Sequence, residues 1–198
     1  MNLYPIFLKL DNTPCLVIGG GTVAERKVEN LLNAEAQVTL IAPDATRKLE
    51  LLATEGKVQY KKRVFQDGDL KGFSIVVAAT NSHEVNSRVF REAMNLKVLI
   101  NSVDDPDNSN FYVPSVVRRG DLQIAVSTSG KVPYFAKRLR GFLERKIYDE
   151  IEGDMRELFE IRKNILLEQI TDSRKRMRKV SSILDPKIDE IFRKIDER

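Results

Sequence analysis

Residues 15–24 read CLVIGGGTVA, an apolar run that ends in three consecutive glycines and passes directly into a helix-forming stretch. Few features restrict a fold as much. An apolar run without polar alternation suits a strand buried on both faces, and such strands belong to parallel sheets covered by helices on either side. Glycine lets the chain turn sharply at the strand end with no Cβ in the way. From 22 to 33 the apolar positions Val23, Ala24, Val28, Leu31 and Leu32 recur at helical spacing. Strand, glycine turn and helix in that order open a βαβ unit.

The alternation continues through residue 113. Residues 37–42 (QVTLIA) form a second expected strand, stopped by Pro43; a helix over 44–55 follows, with Gly56 where a C-terminal cap belongs. Residues 58–62 predict a third strand, at the sheet edge because it is the most polar. Residues 74–79 (SIVVAA) and 98–100 predict the fourth and fifth, joined by a helix over 82–95. The pattern changes after Pro114. Residues 116–119 and 122–128 flank Gly120 and Asp121 and predict a hairpin with Leu122, Ile124 and Val126 on one face. Beyond Ser129 and Gly130 the chain reads as wholly helical. Pro133 suits a first turn, and Phe135, Leu139, Phe142, Leu143, Ile147 and Ile151 form a stripe at steps of three and four. Further stripes run over 155–167 and 188–195, with a break expected at Asp185 and Pro186.

The expected fold is therefore α/β, with a parallel sheet over 1–113, a hairpin and helix over 114–147, and a small helical domain over 148–198. Two strands are marginal alone. The segment from Pro114 onward is accordingly expected to be completed by a second copy of the chain, making a homodimer.

Composition narrows the partners. With 33 Lys and Arg against 29 Asp and Glu, the net charge is +4, a mild excess. That suits a polyanionic small molecule better than a nucleic acid, whose binders concentrate a larger excess on one face. The strongest charge run, RKRMRK at 174–179, reads as a solvated helix surface. No run approaches the roughly 18 apolar residues of a membrane span, and the first residues do not resemble a signal peptide. A cytoplasmic protein without membrane or nucleic-acid partners is expected. The single cysteine, Cys15, excludes an intrachain disulfide and reads as a buried hydrophobe. No residues show metal-site spacing.

Gly19, Gly20, Gly21, Thr22, Val23 and Ala24 fit G-x-G-x-x-A, directly after a buried strand and at a helix start. Gly19 would make the tight turn, Gly21 would let a pyrophosphate reach the backbone, and Ala24 would let the helix pack close to the strand. The helix N-terminus then offers free N–H groups and its positive dipole end to the phosphates. Because strand, turn, helix and second strand arrive in order, dinucleotide binding is a better reading than a plain loop. The acidic residue expected for the ribose of NAD is missing, however: Ile41 and Ala42 occupy the strand end, and the first carboxylate is Asp44, past Pro43. Arg47 and Lys48 follow and could meet a 2′-phosphate, so the residues alone prefer NAD over NADP only mildly.

Ligands of open α/β sheets lie outside the carboxyl ends of the strands. Two more segments qualify, Ala79-Thr80-Asn81 and Asn101-Ser102-Val103-Asp104-Asp105-Pro106. Taken alone, Asp104 and Asp105 are ordinary turn formers, and the turn reading is preferred. His83, the one histidine, reads as a solvent-facing residue near a helix cap. Ser127, Thr128, Ser129 and Gly130, beside Arg118, Arg119, Lys131, Lys137, Arg138 and Arg140, make a candidate cradle for carboxylates.

LYPIFLKL, CLVIGGGTVAERK, VTLIAP, AATN with VN shortly after, NSVDDP, FYVPS and AVSTSGKVP stand in this order over about residues 3–144. Their order and spacing resemble the precorrin-2 dehydrogenase family, which includes the N-terminal half of bifunctional siroheme synthases; the likeness is loose thereafter. The resemblance implies a Rossmann domain, a swapped dimerisation segment and a helical domain. It implies NAD-dependent oxidation of precorrin-2 to sirohydrochlorin, with or without ferrochelatase activity. It places the family's catalytic aspartate on Asp104, reversing the turn-only preference. It also places cofactor contacts on the glycine turn with Thr22 and Val23, and on Pro43 and Asp44. Two other readings stand beside it: a dimeric module that senses NAD without turnover, and a chelatase alone. A sensor needs no carboxylate at the nicotinamide end, and a chelatase needs no intact glycine turn.

Overall fold

A computed structural model describes residues 2–168 and 170–197. The chain divides into two compact units, Met1–Val113 and Pro114–Arg198. The first holds strands β1 (Pro14–Ile18), β2 (Gln37–Ala42), β3 (Val58–Lys62), β4 (Ile75–Ala78) and β5 (Leu99–Ser102). Helices α1 (Thr22–Leu32), α2 (Arg47–Thr54) and α3 (His83–Leu96) connect them. The strands form one parallel sheet in the order β3-β2-β1-β4-β5, the Rossmann arrangement with its switch point beside β1.

The continuous apolar run of β1 now has a physical account. Cys15 and Val17 face one layer with Ala24 and Val28 of α1 and Leu49 of α2. Leu16 and Ile18 face the other with Val89 and Ala93 of α3. Both faces are covered, so no position along the strand can be polar. In the register, Val17 lies between Leu40 of β2 and Val77 of β4. Burial pushes the Cys15 thiol up to about 11, so it packs as a small apolar group. The edge strand β3 buries only Val58 fully, in line with its polar sequence.

Helix α2 begins at Arg47 rather than at Asp44. Thr46 is its N-cap and accepts the Leu49 N–H, while the Asp44 carbonyl presses against the glycine turn and cannot join the helix.

The second unit opens with the antiparallel hairpin β6 (Ser115–Arg119) and β7 (Leu122–Val126). Helices α4 (Pro133–Lys146), α5 (Ile151–Leu167) and α6 (Ser173–Asp196) follow. The apolar stripe that predicts one helix over 133–151 is cut at Ile147, whose extended backbone ends α4. Ile147, Tyr148 and Ile151 turn instead into a core with Ile191, against which Leu122 and Ile124 pack. Leu122 and Ile124 of the hairpin are thus partly covered within their own chain. Helix α4 differs: Tyr134, Phe135 and Phe142 are 70%, 57% and 49% exposed. Among the described residues no helix is long and apolar enough to cross a membrane.

The break expected at Pro186 does not occur, and α6 runs straight through it. The proline removes one backbone N–H and crowds the preceding turn. Burial of Leu184 before it and Ile191 after it, on one stripe, holds the helix together. Pro186→Ala is expected to raise unfolding free energy by about 1–3 kcal/mol, the helix-interior penalty less the entropy lost by freeing the unfolded chain. Urea denaturation checks this; an unchanged or lower midpoint would mean the proline is accommodated without cost.

Candidate functional site

The carboxyl ends of β1, β2 and β4 enclose a cleft of about 300 Å³. Its floor is Ile18, Gly19, Gly20 and Gly21; Ile41, Pro43 and Asp44 form one wall, and Ala79, Thr80, Asn81 and Val85 the other. Each glycine has its own reason to lack a side chain. Gly19 has φ +115°, a region side chains rarely adopt, and a Cβ there would lie 2.2 Å from the Ala79 carbonyl oxygen. A Cβ on Gly20 would lie 1.9 Å from the Asp44 carbonyl oxygen. At Gly21 a Cβ would meet nothing within 4 Å. The first two glycines are demanded by the fold. The third leaves space only a ligand needs.

Gly21 is also the N-cap of α1, and no side chain caps that helix. Thr46 and Ser82 cap α2 and α3. The leading N–H groups of α1, on Thr22 and Val23, are thus left for an anion at the positive end of the helix dipole. Ala24 is fully buried, and α1 sits close on the sheet. The donor set, the absent side chain and the open space fit a dinucleotide pyrophosphate.

Thr80 and Asn86 hold the second wall: the Thr80 hydroxyl donates to Asn86 Oδ1 at 2.7 Å, and Asn86 Nδ2 donates to the Thr80 carbonyl at 3.1 Å. On the first wall, Lys48 pairs with Glu29 and lies 3.6 Å from Glu25. Arg47 is exposed. Val64 and Phe65, just past β3, also line the cleft, and sequence reading missed them. The available signal was strand order: once β3 lies beside β2, whatever follows β3 lands on the same rim.

Asp104 lies past β5 on the same carboxyl rim but is not part of the cleft wall. The two aspartates differ sharply. Asp105 accepts the Asn108 backbone N–H at 3.3 Å and Asn108 Nδ2 at 2.7 Å, with His83 Nδ1 3.2 Å away. Its side chain is 17% exposed, whereas that of His83 is 80% exposed. Asp104 is exposed, makes no hydrogen bond among the described residues, and has φ +57°. Lys27 Nζ, which sequence reading also missed, donates to Asn101 Oδ1 at 3.2 Å at the end of β5.

Ser127 to Gly130 belong to the second unit, ahead of α4. Ser129 and Gly130 both have positive φ, 55° and 75°. Ser127 Oγ accepts the Ser129 N–H, and Thr128 Oγ1 accepts the Val132 N–H, both at 3.1 Å. Arg119 is engaged within the unit: Nη2 donates to the Glu144 carbonyl at 2.9 Å, and Nε lies 2.8 Å from Asp149 Oδ1, off line for a hydrogen bond.

The cleft geometry separates two substitutions. Gly21→Asp adds a side chain in open space at an N-cap, a change worth only a few tenths of a kcal/mol to the fold. It also sets a carboxylate against the pyrophosphate, so NAD affinity should fall at least about 100-fold while the melting temperature holds. Gly20→Ala should instead lower the melting temperature markedly, because its Cβ meets backbone. Calorimetric titration and thermal unfolding of both variants check the pair; wild-type affinity in Gly21→Asp would refute the assignment of this turn.

Comparison with known proteins agrees with this geometry. The family described as putative NAD(P)-binding matches residues 6–115, and the sirohaem biosynthesis protein central family matches residues 119–146. Siroheme synthase 3 of Aeromonas hydrophila is 44% identical over 144 residues, 73% of this chain and 31% of the relative. Siroheme synthase of Pseudoalteromonas translucida is 44% identical over 151 residues, 76% of this chain and 32% of the relative. The chain thus spans about a third of the length of these curated relatives. Among solved structures, SirC, a precorrin-2 dehydrogenase, superposes with a TM-score of 0.76 at 25% identity, covering 99% of this chain and 100% of SirC. With the matched residues spanning the whole sheet and its glycine cleft, the chain belongs to the family described as putative NAD(P)-binding.

Proposed function

We propose that this chain oxidises precorrin-2 to sirohydrochlorin with NAD, and that Asp104 accepts the proton. The observation that carries the reading is the division of labour between the paired aspartates. Turn formation is met by Asp105, whose carboxylate is occupied by Asn108. Asp104 holds a left-handed conformation that costs a residue with a Cβ some strain, and its carboxylate is left unused by the fold.

When bound, the nicotinamide supplies the hydride acceptor. The chain's own residues do the rest. The glycine turn and the open N-terminus of α1 hold the phosphates, and Thr80 and Asn81 border the cleft toward β5. Asp104, or a water it orients, takes the proton released in the same oxidation, so the macrocycle loses one hydride and one proton. Ser127 and Thr128 use only their oxygen lone pairs locally, which leaves their O–H donors for a substrate carboxylate. NAD is favoured over NADP because Asp44 lines the cleft and Lys48 is committed to Glu29 and Glu25.

Asp104→Asn keeps a residue that tolerates the left-handed conformation and removes the charge. It should lose about 100- to 10,000-fold in turnover with NAD affinity and stability intact. Asp105→Ala strips the bonds to Asn108 and should act mainly through a stability loss of about 1–2 kcal/mol. Anaerobic assay with precorrin-2 reads both, with ferrous iron insertion followed separately. Equal, small effects would leave oxidation to cofactor positioning alone, and comparable kcat/KM with NADP would overturn the cofactor assignment.

The exposed apolar face of α4, with Tyr134, Phe135 and Phe142, supports a homodimer built on this helix. Light scattering at micromolar concentration should give twice the chain mass, and Phe135→Glu with Phe142→Glu should give the monomer mass. A monomeric wild type would refute it.

A further inference from the structure

Lys27 is an anomaly among the lysines of the first unit. It lies in the second turn of α1, between the buried residues Ala24 and Val28, and is itself half-buried. Lys48 and Lys57, both exposed, pair with carboxylates at the surface, Lys48 with Glu29 and Lys57 with Glu55 at 2.8 Å. Lys27 forms no ion pair among the described residues. Its one hydrogen bond goes to a neutral amide, Asn101 Oδ1. That amide is locked, because Asn101 is 8% exposed and its Nδ2 donates to the Phe111 carbonyl at 3.2 Å.

Removing an ammonium from water costs several kcal/mol unless charge and hydrogen bonds replace the lost hydration. One amide oxygen is poor replacement, and two of the three N–H donors have no partner among the described residues. The strain registers in the ionisation of the group. Burial holds Lys27 below the ordinary lysine range, neighbouring Arg26 pushes the same way, and the charge of Asp104 opposes both. Asp104 is thus close enough to be felt but does not contact the ammonium.

We infer that Lys27 receives one of the carboxylates carried on the rim of the tetrapyrrole substrate, and so sets the macrocycle beside Asp104. The inference rests on the reading of the substrate given above. A carboxylate on Lys27 would fill the open donors, compensate the half-buried charge and anchor the ring at the same end of β5 where the proton is taken. Lys27 is in these terms a positioning residue.

The test uses the full chain with NAD present and sirohydrochlorin as a probe whose absorbance reports binding without turnover. In Lys27→Met the dissociation constant for sirohydrochlorin and the KM for precorrin-2 should each rise about 10- to 100-fold, the loss of a charge-assisted hydrogen bond. NAD affinity and melting temperature should stay at wild-type values, and Lys27→Arg should recover most of the loss. Raising salt should weaken wild-type binding more steeply than that of Lys27→Met. On the wild type itself, sirohydrochlorin should shield Lys27 from acetylation read by mass spectrometry, while NAD alone should not, so the inference stays testable even if Lys27→Met fails to fold. Sirohydrochlorin affinity unchanged in a folded Lys27→Met, or a fall in kcat alone, would make Lys27 a brace for Asn101 and overturn the inference. Absence of wild-type sirohydrochlorin binding and precorrin-2 oxidation would instead bring down the functional reading and this inference with it.

Discussion

Everything in the first unit depends on how tightly three chain segments converge at the tip of β1. The loop after β2 brings the Asp44 carbonyl to where a Gly20 Cβ would stand, and the loop after β4 brings the Ala79 carbonyl to where a Gly19 Cβ would stand. Backbone hydrogen bonds hold them there: the Gly19 N–H donates to Ile41 and the Thr46 N–H to Gly20, both at 2.9 Å. Packing this close requires β1 to be central, with β2 and β4 paired on either side and helices over both faces. One consequence is the position of α2, which cannot begin until Arg47. Another is the cleft, whose two walls are the segments that crowd the glycines.

The same convergence organises charge. Of the three helices in the sheet unit, α2 and α3 are capped by hydroxyls and α1 is not. The uncapped helix is the one whose N-terminus lies at the switch point, where its dipole favours an anion. Past β5, Asp104 leaves its carboxylate exposed, and Lys27 of α1 brings a half-buried ammonium to Asn101 of β5, the two charges staying out of contact with one another. A stable surface would normally pair such groups. Phosphate donors without a cap, Asp104 without a hydrogen bond and Lys27 without an ion pair among the described residues cost the fold stability and suit a polyanionic ligand.

The second unit is held by a different logic. Its core is small, and the hairpin contributes to it through Leu122 and Ile124. Helix α6 tolerates a proline because residues on both sides are anchored against that core or against α5. Apolar contact, rather than backbone hydrogen bonding, sets the continuity of that helix.

The order of strands and helices, the glycine cleft, and the edge position of β3 were all legible in the sequence, because each is written in local periodicity or in a residue type with a local job. An apolar run without alternation means two covered faces, and glycines after it mean a turn too tight for side chains. The resemblance to known motifs singled out Asp104 as well. Tertiary structure decided the rest. Asp104 and Asp105 are the same residue side by side, and only the position of Asn108 shows which one is consumed by the turn. In sequence Lys27 is one of several charges on an amphipathic helix; its bond to Asn101 is a contact across 74 residues. The stop at Ile147 and the passage of α6 through Pro186 run against local propensity, and both follow from which apolar side chains find a common core. Sequence carries what neighbours along the chain decide, and burial and pairing across the fold decide what an individual charge or proline costs.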